Sequence, residues 1–241
     1  MSVGVCLSVS LTCLFYKKIP QMTHRTRIKL CGLSRPEDIQ AAAMAGADAI
    51  GLVFYPPSPR NVSAQQAATL LADLPPFITS VGLFVNASLA EVQQVLRIAP
   101  LSMLQFHGDE TPEQCAQIAE AVARPFLRAI RIRPDTTTQD LLESGQLYRS
   151  CSSLFAGLLL DTWSDAYGGT GKVFDWSLIP EEIVHQAVLS GGLNVQNVTD
   201  AVRSLRPHAV DVSSGIESSK GIKDAALMQA FVNAVRAGDT H

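Results

Sequence analysis

Apolar and polar residues follow two alternating periodicities after residue 24. Short apolar runs are typical of buried strands, and the stretches between them carry apolar residues at helical spacing. The eight apolar runs occupy residues 26–31, 48–54, 78–85, 101–107, 126–132, 154–161, 184–190 and 208–213. The helical stretches read PEDIQAAAMAG, SAQQAATLLADL, SLAEVQQVLRIA, TPEQCAQIAEAV, TQDLLESGQLY, NVQNVTDAVRSL and KDAALMQAFVNAV. This alternation predicts repeated strand–helix units with parallel strands.

The first helical stretch also has start and stop signals. Ser34 precedes it as an N-cap, and Glu37 follows three residues later to complete a capping box. Pro36 suits the first turn, and Gly46 follows the end of the stretch. We therefore expect a helix that begins soon after the first strand.

Eight strand–helix units are the number that closes a (βα)8 barrel. Such barrels usually take about 200–250 residues. A doubly wound open sheet is the alternative, but it often has a Gly-rich fingerprint after the first strand, which CGLSRPED does not supply. The sequence predicts an α/β protein with a single TIM-barrel domain over residues 25–241.

Residues 1–24 do not fit the barrel pattern. Their apolar run reaches Tyr16 and is followed by Lys17 and Lys18, whereas a secretory signal has its basic residues first. The run is also shorter than the roughly 20 residues that span a bilayer. We expect an N-terminal extension outside the barrel, with Met22 as the natural start; a membrane anchor and a genuine tail are the alternatives.

Composition narrows the functional classes. The 241 residues are 47% apolar and 17% charged with a net charge of −3, as in a soluble globular protein. No long run of Lys and Arg suggests nucleic acid or an anionic membrane as a partner. The five cysteines form neither a CxxC pair nor a Cys/His cluster, which favours a reducing cytoplasm over disulfides or a metal site.

Chemistry in such barrels takes place at the carboxyl ends of the strands, in the loops that lead to the helices. Small and polar residues collect at these predicted ends. The ends are Cys31-Gly32; Phe54 with YPPSPRNVS; Val85-Asn86; His107-Gly108-Asp109; Arg131 to Arg133; Asp161-Thr162; Ser190-Gly191-Gly192; and Ser213-Ser214-Gly215. A thiol, an imidazole and a carboxyl group at one rim exceed what helix capping requires.

Two Gly-rich loops, LSGGLN and VSSGIE, follow the seventh and eighth strands. Such loops expose backbone N–H groups, and a following helix N-terminus adds positive potential, so both suit an anion. In barrels this position frequently binds phosphate. Tight turns without a ligand are the alternative, but the two loops together favour a phosphate site.

The loop DTWSDAYGGTGKVFD at 161–175 is long and rich in glycine. Its GGTGK run lacks the P-loop spacing, because Val173 stands where Ser or Thr is needed. A mobile lid over the site is the interpretation we favour, and a plain surface loop is the alternative.

Asp161 and Arg60 are candidate reactive and binding groups. Asp161 ends the apolar strand LFAGLLLD, where partial desolvation raises the pKa of a carboxyl group, although an N-cap or a loop ion pair is the commoner role. Arg60 lies in the proline-stiffened loop PPSPRNVS, where it can grip a carboxylate or remain solvated.

Cys31 stands where the first strand meets its loop. A lone cysteine is usually structural. Positive potential from a phosphate site and a helix N-terminus, however, would lower the pKa of the thiol and make the thiolate available as a base or nucleophile. Lys29 has the same strand parity and points into the barrel, where Asp211 on the neighbouring eighth strand is its candidate partner.

With these residues in place, the chain resembles the phosphoribosylanthranilate isomerase family of tryptophan biosynthesis from about Arg27 to Val235. The motifs that carry the resemblance are KLCGLSRPED, GADAIGLVFYPPSPRNVS, VGLFVN, LQFHGDE, LLLDTWSDAYGGTGKVFDW, LSGGLNVQNV and VDVSSGIE. The resemblance implies a barrel without cofactor or metal. It also implies the Amadori rearrangement of N-(5-phosphoribosyl)anthranilate to 1-(2-carboxyphenylamino)-1-deoxyribulose 5-phosphate.

The resemblance further implies a role for each matched residue. Cys31 would be the general base and Asp161 the general acid, and Arg60 would hold the anthranilate carboxylate. A thiol suits the task because its pKa can be set near 7. The other substrate-binding residues that we expect are His107, Gly191, Gly192, Asp211, Ser214 and Gly215.

We expect a phosphorylated small-molecule substrate, no nucleic-acid or membrane partner, a cytoplasmic location, and a monomer or homodimer. Two other interpretations stay open at this point. Another phosphosugar barrel enzyme would place an acid where Cys31 stands, as in the histidine-pathway isomerase, or a lysine where Val85 and Asn86 stand, as in indoleglycerol phosphate synthase. A barrel that only binds phosphorylated ligands would not need both Cys31 and Asp161.

Overall fold

The computed structural model describes residues 25–162 and 175–240. The N-terminal extension of residues 1–24 and most of the predicted lid at 161–175 lie outside these ranges, so both stay predictions. Within the ranges, no helix combines the length and apolar character needed to cross a membrane.

Eight parallel strands close into a barrel in sequence order, which confirms the predicted TIM barrel. The first strand pairs with the second on one side and with the eighth on the other, so the two ends of the sheet meet. The strands are β1 (Arg27–Cys31), β2 (Ala49–Phe54), β3 (Thr79–Phe84), β4 (Met103–Phe106), β5 (Phe126–Ile132), β6 (Phe155–Thr162), β7 (Val188–Leu189) and β8 (Ala209–Val212).

Helices alternate with the strands, and most start with a capping box. Four of them have a Ser or Thr as N-cap, whose side chain accepts from the backbone N–H of residue N3. In each, the side chain of residue N3 accepts from the backbone N–H of the N-cap residue. The helices in the described ranges are α1 (Pro36–Ala45), α2 (Ala64–Ala72), α3 (Leu89–Leu96), α4 (Pro112–Val122), α5 (Thr138–Cys151), α6 (Glu181–Val184), α7 (Val198–Leu205) and α8 (Ala225–Asp239).

The cap of α1 differs from the predicted one. Arg35, not Ser34, is the N-cap residue, and Asp38 replaces Glu37 as the residue that closes the turn. The Asp38 carboxylate accepts from the backbone N–H groups of Ser34 and Arg35. Asp38 lies on the buried face of the helix and Glu37 on the exposed face, so only Asp38 is held in position to do this.

The end of the barrel also departs from the prediction. The apolar run at 184–190 was expected to be one strand, but only Val188–Leu189 pairs as β7, because α6 and a turn take up its beginning. Val184 at the end of α6 and Ala187 in the turn are buried like the residues of a strand, so the apolar run alone could not show where β7 begins. A small antiparallel hairpin, β9 (Glu217–Ser219) and β10 (Ile222–Lys223), follows β8 and was not predicted.

Strand register decides which side chains point into the barrel. An inner apolar layer is formed by Leu127, Ala129, Leu159, Val188 and Ala209. Successive residues alternate between the two faces of a strand, so residues two positions further along each strand also point inward. Near the carboxyl ends of the strands, these further inward-pointing residues include polar side chains, and the apolar layer forms the floor of the space beneath them.

Candidate active site

A cavity opens at the carboxyl ends of the strands, as expected for this fold. Its volume is about 720 Å³, counted with the solvent at its mouth. The predicted site residues that line it are Cys31, Arg60, His107, Asp161, Gly191, Gly192, Asp211 and Ser214. Gly215 is not among the lining residues. A Cβ there would overlap the carbonyl oxygen of Leu193, so Gly215 lets the loops after β7 and β8 pack together.

Cys31 is the last residue of β1 and is only 4% exposed. Its register partner on β2 is Gly51, and both residues face the barrel interior. A Cβ on residue 51 would lie 2.5 Å from the Cys31 Sγ atom and 3.1 Å from the Lys29 Nζ atom. Glycine at this position therefore makes the room in which the thiol and the ammonium group lie.

Lys29 forms a buried ion pair with Asp211, as the sequence predicted. The Lys29 Nζ atom is 2.7 Å from Asp211 Oδ1, and the Ser190 hydroxyl donates to Asp211 Oδ2 at 3.1 Å. Burial disfavours the ammonium ion, but the neighbouring Asp211 and Cys31 side chains more than offset this and raise the pKa of Lys29. Lys29 is thus a fixed positive charge beside the thiol.

The expectation of a lowered Cys31 pKa is wrong for the unliganded protein. Burial raises the pKa of the thiol above its ordinary value of 9.0, although Lys29 and Lys223 both act to lower it. The loss of hydration destabilises the thiolate more than the two lysines stabilise it, because each lysine is itself paired with a carboxylate. The sequence indicated the positive groups but not the depth at which the sulfur lies.

Asp161, near the end of β6, contacts His107, which follows β4. The His107 Nε2 atom is 3.0 Å from Asp161 Oδ2, and the His107 Nδ1 atom is 2.9 Å from the Gln105 amide nitrogen. The two contacts hold the imidazole ring in one orientation between the amide and the carboxyl group. Gln105, which the sequence analysis did not single out, therefore fixes the ring that orients Asp161.

The loop after β7 presents unpaired backbone N–H groups. Gly191 and Gly192 have φ of 79° and 71°, a conformation that favours glycine. Two asparagine side chains, Asn194 and Asn197, donate to the Gly192 carbonyl oxygen and hold the loop. Within the described residues, the N–H groups of Gly191, Gly192 and Leu193 donate to no acceptor. Successive N–H groups of this kind form an anion-binding concavity.

Arg60 reaches the cavity from the loop after β2, and its guanidinium group pairs with a carboxylate that does not line the cavity. The Nε and Nη2 atoms donate to the two carboxylate oxygens of Glu217 at 2.6 and 2.9 Å. The Lys223 ammonium group lies 2.8 Å from the same carboxylate. Glu217 and Lys223 were both missed by the sequence analysis, although Glu217 ends the quoted motif VSSGIE.

These groups are suited to acid–base chemistry and to anion binding. No cluster of three or more His, Cys, Asp and Glu side chains that could hold a metal ion forms within residues 25–162 and 175–240.

The profile of the N-(5'-phosphoribosyl)anthranilate (PRA) isomerase family matches residues 28–234. The chain belongs to this family. The matched range contains all of the cavity residues described above.

Individual relatives give the same result at high identity. The N-(5'-phosphoribosyl)anthranilate isomerase of Herminiimonas arsenicoxydans is 62% identical over 218 residues, which cover 90% of this chain and 96% of the relative. The enzyme of the same name from Ralstonia nicotianae is 55% identical over 225 residues, which cover 90% and 95%. The relatives are matched over nearly their whole length.

Solved structures of the family have the same fold. The phosphoribosylanthranilate isomerase of Thermotoga maritima superposes with a TM-score of 0.77 at 39% identity, covering 88% of this chain and 98% of that one. Another isomerase structure holds reduced 1-(o-carboxyphenylamino)-1-deoxyribulose 5-phosphate and superposes at 0.74 with 37% identity, again covering 88% and 98%. That ligand carries a phosphate at one end and a carboxylate at the other.

Proposed function

We propose that Cys31 is the general base and Asp161 the general acid of the reaction that gives the family its name. The chain itself is an enzyme of tryptophan biosynthesis that isomerises N-(5-phosphoribosyl)anthranilate, as its family membership establishes. One observation carries the assignment of roles: the thiol and the carboxyl group line a single cavity. They come from β1 and β6, which are separated by β7 and β8 on one side of the barrel and by four strands on the other.

Asp161 begins the reaction by giving its proton to the ring oxygen of the ribose. The C1′–O4′ bond breaks, and the lone pair of the anthranilate nitrogen forms the C1′=N bond of a protonated Schiff base. The Cys31 thiol gives up its proton to water at the open mouth of the cavity, and the thiolate removes the C2′ proton. The C2′–H electron pair forms the C1′=C2′ bond of an enolamine, while the π pair of the C1′=N bond returns to the nitrogen. Loss of the O2′ proton and protonation of C1′ give the ketone, so no redox carrier is needed.

The raised pKa of Cys31 is compatible with this order of events. The protonated Schiff base places a positive charge next to the sulfur only after the ring has opened. An opposite charge within a few ångströms favours the thiolate. The thiolate form of Cys31 is therefore favoured at the step that uses it, and the thiol remains protonated before the ring opens.

The two ends of the substrate bind away from the reacting carbons. The N–H groups of Gly191, Gly192 and Leu193, together with the loop of Ser214, would donate to the phosphate, because no acceptor of the described chain uses those three amides. Arg60 would hold the anthranilate carboxylate. Neither anion changes charge in the reaction, so both contacts serve binding and orientation.

His107 and Asp211 act through other residues in this proposal. His107 directs the Asp161 carboxyl group, with which it shares a hydrogen bond. Asp211 keeps Lys29 charged and in place beside Cys31. Both were expected to bind substrate, and their partners inside the protein support a positioning role.

The ligand class, the location and the oligomeric state are proposed on similar grounds. The ligand is a phosphorylated small molecule, as the liganded relative indicates. We infer a cytoplasmic location from the soluble biosynthetic family and from the free thiol in the site. The barrel domain of 25–241 and a monomeric or homodimeric state remain our proposals.

The test is an assay of purified protein on phosphoribosylanthranilate, with the loss of anthranilate-type fluorescence as the readout. Cys31→Ser and Asp161→Asn should each lower kcat by about 100-fold or more. Cys151→Ser, at the end of α5, and Asp135→Asn, on an exposed loop, are matched controls that should leave kcat unchanged. Wild-type kcat in either site variant would remove that residue from its role.

A further inference from the structure

Glu217 is bound to Arg60 across two separate loops. Arg60 follows β2, and Glu217 begins the hairpin after β8, 157 positions further along the chain. The two side chains are 10% and 6% exposed, so this is a buried pair. Glu217 is not among the residues that line the cavity, while Arg60 is. The carboxylate therefore lies behind the guanidinium group as seen from the substrate.

The way the pair is formed leaves one edge of the guanidinium group available. Its five N–H donors are arranged in a planar fork. Glu217 uses the edge formed by Nε and Nη2. The other edge, formed by Nη1 and the second hydrogen of Nη2, can donate side by side to a second carboxylate. No described residue receives a hydrogen bond from the Arg60 Nη1 atom.

Glu217 is itself held from several directions. Lys223, whose side chain is 0% exposed, donates to Glu217 Oε1 and also to the backbone carbonyl of Ser213. The backbone N–H of Gly221 donates to Glu217 Oε2 at 3.2 Å. Gly32 closes the other side, because a Cβ there would lie 2.5 Å from Arg60 Cδ. The guanidinium group has little room to turn.

The charges of this cluster do not cancel. Burial lowers the pKa of Lys223, although Glu217 acts to raise it. With Lys223 protonated, two cations face the single anion Glu217, which leaves one positive charge in a buried place. A second carboxylate on the open edge of Arg60 would neutralise it. The cluster is thus one negative charge short of balance at the edge that faces the cavity.

We propose that Glu217 is the positioning residue that selects substrates with a carboxylate on the ring, because it holds Arg60 with one edge turned to the cavity. This inference rests on the proposed role of Arg60. Without Glu217, the guanidinium group would lose its orientation and could fold back onto other acceptors. Discrimination between carboxylated and uncarboxylated substrates would then fall, while the chemistry at C1′ and C2′ would continue.

The test compares two substrates that differ only in the carboxylate. N-(5-phosphoribosyl)anthranilate and N-(5-phosphoribosyl)aniline are each made by mixing ribose 5-phosphate with the free amine, and the ketose product is measured by chromatography. The quantity of interest is the ratio of kcat/KM for the two substrates. Glu217→Gln keeps the size of the side chain but replaces the carboxylate with a neutral amide, whose nitrogen cannot accept a hydrogen bond from Arg60 or Lys223. Glu143→Gln, on the exposed face of α5, is the matched control.

Glu217→Gln should lower the ratio by about 10- to 100-fold, the range for misplacement of an orienting group. The loss should fall on KM for the carboxylated substrate, with the aniline substrate little changed. The double variant Glu217→Gln/Lys223→Met leaves no buried ammonium unpaired and should show the same lower ratio, which covers the case that the single variant does not fold. In an Arg60→Ala background, Glu217→Gln should have no further effect.

Two results would overturn the proposal in different ways. Equal losses for both substrates, or no loss for either, in the Glu217 variants would mean that Glu217 has only a structural role, even if Arg60→Ala lowers the ratio. An unchanged ratio in Arg60→Ala would mean that Arg60 does not hold the carboxylate. In that case the proposed role of Arg60 fails together with the inference about Glu217.

Discussion

Gly51 faces Cys31 across the pair of strands β1 and β2, and a methyl group on residue 51 would overlap the thiol sulfur. The distance from the carbon of that methyl group to Sγ would be 2.5 Å, well inside van der Waals contact. The position of the proposed general base thus depends on two residues, one that carries the thiol and one that leaves room for it.

Gly51→Ala should therefore lower kcat by about 100-fold, because the thiol must move away from the C2′ proton. Gly145→Ala is a matched control, since the nearest atom to its new Cβ is 3.7 Å away and alanine favours the helix. Steady-state kinetics and circular dichroism on both variants check this. Unchanged kcat in folded Gly51→Ala protein would show that the position of the thiol is not critical.

The pH dependence of Cys31 reactivity follows from its burial. The pKa of the thiol lies above 9.0, so the reactive thiolate is a minor form at neutral pH and increases as pH rises. Alkylation of the peptide that contains Cys31 by iodoacetamide should be half-maximal above pH 9, and kcat/KM should rise with pH over the neutral range. Cys115, with its pKa raised to about 12, provides an internal comparison. Half-maximal alkylation near pH 7 would show that the two lysines outweigh burial.

Arg60→Ala and Asp161→Asn should affect different kinetic constants. Loss of a charge-assisted contact of about 1.5–3 kcal/mol should raise KM roughly 10- to 150-fold in Arg60→Ala with little change in kcat. In its proposed role Asp161 acts only while protons move, so Asp161→Asn should lower kcat by about 100-fold or more with little change in KM. The opposite pattern in steady-state constants would count against both assignments.

Glu110 joins the ends of β3 and β4 to β5 through one buried carboxylate, and its removal should destabilise the barrel. It accepts from the backbone of Asn86 and Gly108 and pairs with Arg128 at 2.7 Å. Glu110→Ala leaves Arg128 buried without its anion, which typically costs about 3–5 kcal/mol. Urea unfolding should show this as a lower midpoint, whereas Glu143→Ala on an exposed helix face should change little. An unaltered midpoint in Glu110→Ala would mean that water or another group replaces the carboxylate.

Much of the fold and the centre of the site could be predicted from local patterns. Apolar runs marked all eight strands, and barrel closure then brought their carboxyl ends together. Cys31 and Asp161 stand at such ends, so strand periodicity alone was enough to place them at one rim. The contact between Lys29 and Asp211 followed from the adjacency of β1 and β8.

Features that depend on distant loops could not be predicted in the same way. Glu217 and Lys223 lie in a short polar hairpin without periodicity, and their link to Arg60 exists only once β2 and β8 flank β1. The pKa of Cys31 depends on burial depth, which sequence does not state. The cap of α1 depended on which of two adjacent acidic residues is turned inward.

The pairing of Cys31 and Asp161 as base and acid is tested most directly with substrate that carries deuterium at C2′. In Cys31→Ser, removal of the C2′ proton should become the slowest step, so the isotope effect on kcat should exceed that of the wild type. In Asp161→Asn, ring opening should become the slowest step, and the isotope effect should fall close to unity. An isotope effect close to unity in Cys31→Ser, with a large one in Asp161→Asn, would reverse the two roles and refute the assignment.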